Sequence, residues 1–198
     1  MNAITRNIDQ AGDSARGGEL RPHRFSVQDM HAMLAAGILE EGAREELVEG
    51  ELIEMPADGP GHNRLNNAIF HWLAASTKPG EYTILPNATL VLGPENAPSP
   101  DWCISPASVE FDSIRGPDTL LVIEQSSSSL GRDLGWKAAL YARHGVRDYW
   151  VIDVARQETH VHREPAEGGY GFRKRFAAHE AVEALLIPRL VLQLDRLG

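Results

Sequence analysis

Lys137 stands in the apolar stripe of a helix read over about residues 131–144, and Glu124 closes the apolar strand read over residues 119–124 that precedes it. At about 100° per residue, Leu134, Ala138, Leu140 and Tyr141 share the face that carries Lys137, whereas Arg132, Ala139 and Arg143 point away. An ammonium buried alone there is costly. Anions at the end of its stem remove that cost, and Glu124 can supply one, Asp101 upstream another. Both acids sit next to loops, where side chains converge at a sheet edge. Two carboxylates brought together repel, and one pKa rises, unless a cation sits between them. Magnesium fits, because it is held by one or two carboxylates and keeps waters and phosphate oxygens for the rest of its shell. A lysine beside such a site can orient a water and stabilise negative charge growing on phosphate. Two acids and one amine thus make a kit for cleaving phosphodiesters. The spacing also admits a structural reading in which Lys137 pairs with Asp133 one turn earlier.

The elements that must position these groups read as an α/β chain, with helices on a mixed sheet. Ser26 with Asp29 forms a capping signature for a short helix to about Ala36. Residues 46–55, split by Gly50, predict a hairpin or bent strand pair. The breaker Asp58-Gly59-Pro60-Gly61 opens a second helix, with Leu65, Ile69, Trp72 and Leu73 on one face, ending near Lys78 because Pro79-Gly80 cannot continue it. Strands are expected over residues 82–92 and 101–104. Residues 119–123 are apolar on both parities, which suits a central strand covered on both sides. The lysine helix then leads through His144-Gly145 to a strand over residues 149–153, a crossover if the two strands are parallel neighbours. Residues 158–162 and 170–176 flank a turn and read as a hairpin. Leu190, Leu192 and Leu194 alternate as a last strand.

The chain has 198 residues, 42% hydrophobic and 24% charged, which suits one soluble domain over residues 24–198 behind a flexible tail at residues 1–23. The lone cysteine, Cys103, rules out an internal disulfide and a cysteine-zinc cluster, and points to a reducing cytoplasm. It reads as a buried hydrophobe. No apolar run reaches the roughly 20 residues of a membrane span. A net charge of −9 argues against indiscriminate nucleic-acid binding but leaves room for a nuclease, whose metal-holding acids make it more acidic. Arg143 with Arg147, and the run Arg173-Lys174-Arg175, are candidate phosphate contacts, each with a solvated face as its plainer reading.

From Leu121 to Asp153 the order Val-Ile-Glu-x-Ser-x-Ser-Ser-Leu-x-x-Asp-x-x-x-Lys-x-x-Leu-Tyr-Ala-x-x-Gly-Val-x-x-Tyr-Trp-Val-Ile-Asp resembles the signature of the Uma-two family of the restriction-endonuclease-like superfamily. Glu46-Leu47-Val48-Glu49-Gly50-Glu51 resembles that family's first acidic strand, Gly61-His62 its helix-opening histidine, and Pro100-Asp101 its Pro-Asp strand. The resemblance covers about residues 24–165. It implies a PD-(D/E)xK-type endonuclease acting on DNA, with Asp101 and Glu124 as Mg²⁺ ligands (Mn²⁺ as substitute), the backbone carbonyl of Gln125 as a third, Lys137 as the catalytic lysine, and Glu46 as a further acid positioning metal or water. The commoner arrangement puts the lysine two residues after the glutamate; here that position is Ser126, and the Uma-like pattern moves the lysine to the helix. Gln125 and Ser127 depart from the residues expected in relatives. His62 opens the second helix where it reaches the site, or is packed or capping.

Tyr141 reads as packing that holds the lysine stem, Tyr149 and Trp150 as strand packing or a subunit contact, and Asp153 as a turn acid. Two other classes compete with the nuclease. One is a catalytically silent module of nuclease fold that binds or regulates; intact Asp101, Glu124 and Lys137 speak against it. The other is a metal-free glycoside hydrolase with paired carboxylates, which an inward lysine fits poorly. A homodimer suits two cuts in a duplex.

Overall fold

A computed structural model describes residues 21–40, 42, 44–57 and 59–197. The expected tail falls outside these residues except for 21–23, which carry no helix or strand.

Helix α1 (Val27–Ala35) begins at Ser26, whose hydroxyl accepts from the Asp29 amide while the Asp29 carboxylate accepts from the Ser26 amide, the reciprocal cap read in the sequence. Strands β1 (Glu45–Val48) and β2 (Glu51–Glu54) pair antiparallel through the two-residue turn Glu49-Gly50. Both turn residues take positive φ, 49° and 78°, the pairing whose twist matches a hairpin. At Gly50 a Cβ would stand 2.6 Å from the Arg24 Cβ, so the incoming chain fits only against glycine.

Helix α2 (Pro60–Ser76) starts with proline at its first position, where a missing N–H costs nothing, and buries Ile69 and Leu73. The main sheet then forms in the order β3-β4-β5-β6-β7-β8: β3 (Tyr82–Pro86), β4 (Trp102–Pro106), β5 (Leu121–Ser126), β6 (Asp148–Asp153), β7 (Glu158–Ala166) and β8 (Gly169–Ala177). Among the described residues only β5 and β6 pair in parallel, which makes the lysine helix the crossover between them. Helix α2 packs on the face carrying Trp102, Ile104, Leu121, Ile123, Trp150 and Ile152; the opposite face, with Val122, Tyr149 and Val151, is covered by Leu140 and Tyr141. Every residue of β5 and β6 is buried, as two-sided cover requires. Removing a side chain such as Ile123 to alanine costs about 2–5 kcal/mol at a site of this kind.

Three expectations need correction. The strand over residues 82–92 stops at Pro86, since proline lacks the next ladder donor and Asn87 turns left-handed at φ 49°; residues 90 and 92 instead bond back to Pro98 and Asn96. The lysine helix is broken. A short helical turn α3 (Leu130–Arg132) runs into a wide π-type turn (Asp133–Lys137), where Gly135 departs from helical backbone at φ −99°, ψ −106°, and only then into α4 (Ala138–Arg143). The last strand is short: β10 (Val191–Leu192) pairs with β9 (Val182–Glu183), and Leu194 opens a 3₁₀ turn.

Candidate active site

Lys137 is 2% exposed, and its Nζ donates at 2.9 Å to Oε1 of Glu124 and at 2.9 Å to Oε1 of Glu46. The wide turn at Gly135 aims this ammonium across the sheet. Glu124 comes from β5, one position beyond the apolar core; Glu46 comes from the β1–β2 hairpin, far off in sequence. Neither bond goes to Asp133, so the alternative pairing is not the one adopted: Asp133 accepts from Ser126 and Ser129 hydroxyls at 2.5 Å each and from Arg132 at 3.4 Å. Tyr141, read as packing, also donates its hydroxyl to Oε1 of Glu124 at 2.9 Å. A tyrosine on an apolar stripe gives no signal of this in sequence.

Asp101 precedes β4. Its Oδ2 accepts from the Gln125 amide at 2.5 Å and its Oδ1 is hydrogen-bonded to His62 Nε2 at 3.0 Å, so His62, opening α2, holds the carboxylate from the helix side. The Gln125 side chain turns to α2 and donates to Asn66 at 2.9 Å, which leaves only its backbone facing the acids' side of the strand. Glu46, Asp101, Glu124, Lys137, His62 and Asp133 all line one cleft of about 600 Å³ between the hairpin and the sheet. These donors are not drawn to a single point: among the described residues, only Asp153, Glu158 and His160 bring three carboxylate or imidazole donor atoms within 4.8 Å of one another.

Burial pushes the Glu124 carboxyl up to about 8; the Lys137 ammonium opposes that rise, and the neighbouring carboxylates Asp101, Asp133 and Glu46 add to it. Burial by itself would lower the Lys137 ammonium, but Glu124 and Glu46 together outweigh it and hold the group above the ordinary lysine range. The amine is therefore a fixed cation at neutral pH. Glu46 keeps one oxygen, Oε2, buried and without a hydrogen-bond partner among the described residues. Glu46, Asp101 and Glu124 bring three carboxyl groups to one ammonium, a crowding that an added cation would relieve, and with the unpartnered Glu46 oxygen beside the cleft they form a donor set that suits a hard divalent cation.

The other residues singled out in the sequence lie outside this arrangement and have surroundings of their own. Cys103 is buried, with its thiol pushed up to about 12 by burial, and is no nucleophile. Tyr149 and Trp150 are fully buried in the sheet. Arg143 pairs with Glu49 at 2.5 Å, Arg147 donates to the Pro117 carbonyl, and Lys174 stacks over Phe176. Asp153 is a turn acid that accepts from the Ala155 and Arg156 amides at 3.0 Å each.

Comparison with known proteins bears on the fold and the family. The crystal structure of a "putative nuclease belonging to DUF820 from Anabaena variabilis" has a TM-score of 0.65 to this chain, at 18% sequence identity, covering 82% of this chain and 94% of that one. The shared fold is the restriction-endonuclease-like mixed sheet flanked by helices, here with extra C-terminal strands. No curated protein matches the sequence significantly. A family model described as "Putative restriction endonuclease" matches residues 27–195, so the chain belongs to the Uma2 family.

Proposed function

We propose that this protein is an endonuclease that uses a divalent cation to hydrolyse phosphodiester bonds, with DNA as its substrate. The observation that carries the reading is the buried Lys137 ammonium, clasped by two carboxylates from different elements at the wall of a cleft. Asp101, Glu124 and the Gln125 carbonyl are the groups to hold Mg²⁺, or Mn²⁺ in its place. Bound there, such a cation would lower the pKa of a water and offset charge on phosphate.

The chain's own groups do the rest. An ammonium has three N–H bonds. Two are committed to Glu46 and Glu124, and the third is left to donate to a phosphate oxygen as its charge grows. Glu46 lines the same cleft and keeps an oxygen without a partner to accept a hydrogen from the attacking water, which orients it. His62 fixes the rotamer of Asp101, and Tyr141 that of Glu124; both are positioning residues. Arg132, which lines the cleft and is 28% exposed, is placed to meet a flanking phosphate. A two-fold dimer joined through an edge strand, β3 or β8, would bring two such clefts to the two strands of a duplex.

Supercoiled plasmid incubated with purified protein is the test. Relaxation and linearisation are expected with Mg²⁺ or Mn²⁺, none with chelator, and a loss of at least about 100-fold in Lys137→Ala, the scale of removing one transition-state donor. Wild-type protein that binds Mn²⁺ and DNA yet leaves the plasmid intact would instead support the silent module.

A further inference from the structure

The turn from β6 to β7 carries a second donor set that phosphodiester cleavage does not use. Asp153 ends β6, Glu158 begins β7, and the ladder pairs them Cα to Cα. Like charges directly opposite on one sheet face repel. His160 follows two residues later on the same face, and one donor atom from each of the three lies within 4.8 Å of the others. Asp153 is 2% exposed, while Glu158 and His160 are half-buried. The Nε2 atom of His160 is sealed from solvent, yet it has no hydrogen-bond partner among the described residues. Sealed polar atoms are nearly always partnered in folded proteins, so this one calls for a physical cause.

Two arginines compete for the acids. Arg156 lies 3.0 Å from Asp153 and Arg175 lies 3.4 Å from Glu158, but these side chains are 66% and 65% exposed. Ion pairs held by such exposed arms are worth about 0–1 kcal/mol and release readily. The backbone amides of Ala155 and Arg156, by contrast, hold the Asp153 carboxylate in place whichever cation it faces.

We propose that Asp153, Glu158 and His160 bind a borderline transition cation of the zinc class, at a site separate from the cleft. One imidazole nitrogen with two carboxylate oxygens is a donor set that transition metals favour over magnesium, and three protein ligands leave a fourth position for water. The ligands sit on adjacent strands of the main sheet, so little ordering entropy opposes binding. Register runs from Glu124 through Val151 to His160, which puts the imidazole two strand spacings, about 10 Å, from Glu124 on the same face. The cation neutralises the facing acids and staples the β6–β7 turn, so its role is to stabilise.

Calorimetric titration of Zn²⁺ into the full-length Asp101→Asn/Glu124→Gln variant isolates this site from the cleft. One equivalent is expected, with a rise in Tm. His160→Gln in the same background should weaken binding at least about 100-fold, beyond the loss seen when only a supporting partner is removed. Arg156→Ala, which frees Asp153, should leave binding equal or tighter, and millimolar Mg²⁺ should not displace Zn²⁺. If His160→Gln does not fold, the ¹⁵N shift of the His160 ring on Zn²⁺ addition reports ligation directly. Absence of a zinc equivalent in the double variant, survival of that equivalent in His160→Gln, or an unmoved His160 ring would overturn the site. None of these outcomes bears on plasmid cleavage, which tests the cleft alone.

Discussion

Two neighbouring strands of the sheet each bury a carboxylate, and the fold treats them in opposite ways. Asp148, which opens β6, is fully buried; its Oδ1 accepts from Trp150 Nε1 at 2.9 Å and Arg163 Nε at 2.8 Å, and its Oδ2 from the Leu185 amide at 2.7 Å. Its donors come from its own strand, the next strand and the loop beyond β9, and it does not line the Lys137 cleft. Glu124, on β5, shares one oxygen between Lys137 and Tyr141, faces a second acid with an unpartnered oxygen, and lines the cleft. A buried charge whose hydrogen bonds are saturated is a joint of the structure. One left short of partners retains capacity for something the chain does not itself contain.

The sharpest way to break this contrast is Asp148→Asn. It strips the charge that holds Arg163 and weakens three hydrogen bonds, and should cost about 3–5 kcal/mol in urea denaturation, the scale of unpairing a buried ion pair. Nuclease activity per folded molecule should stay at the wild-type level. A variant that keeps its stability but loses cleavage would put Asp148 on the wrong side of the comparison.

Glu46→Gln is the mirror experiment. It removes one of several neighbouring acids while keeping the shape, and Lys137 keeps Glu124 as its partner, so stability should change by no more than about 1 kcal/mol. Cleavage should fall about 10- to 100-fold, the scale of losing a supporting partner at a metal site, with KM for DNA little altered. A drop in stability with full activity would mark Glu46 as a structural brace for Lys137.

The smallest effect belongs to His162, packed between Tyr149 and Tyr170 on the sheet face that also carries Glu124. Burial, then the nearby Arg173 and His160, lower its pKa to about 4. Between about pH 6.5 and 4 the unfolded chain takes up a proton that the folded chain refuses. This contribution is therefore whole above pH 6.5 and is lost as pH falls through 4, about 1–2 kcal/mol once its partial solvation is allowed for. Thermal melts across that range should show the slope in wild type and a flatter one in His162→Gln. Equal slopes would remove His162 from the account.

Much of this arrangement was legible in the sequence, for local reasons. The Ser26–Asp29 cap, the Glu49-Gly50 turn and the two-sided apolar run of β5 are each written within a few residues. Lys137 stood out because an ammonium on an apolar stripe demands an explanation. What stayed hidden is non-local or depends on backbone detail. Nothing near Glu46 announces a bond to Lys137 across 91 residues. The Asp148 network draws on Arg163 and Leu185, and an acid opening a strand otherwise reads as a solvated end. Residues 88–92 have strand-like composition, but Pro86 and Asn87 had already ended the ladder. Gly135 reads as a tolerated helix glycine, while its backbone re-aims everything after it.

Glu46 arrives on a hairpin that forms its own two-stranded sheet, apart from the six strands that carry Asp101's neighbours and Glu124. Docking of that hairpin, through the Leu47–Ala97 bridge and the buried Val48, and formation of the Lys137 clasp consequently go together. Opening of the hairpin, which amide hydrogen exchange would register as protection lost at residues 45–54 ahead of the sheet, disarms the clasp while the rest of the molecule stays folded. The integrity of the Lys137 clasp is then set by the local free energy of docking one hairpin as much as by global stability.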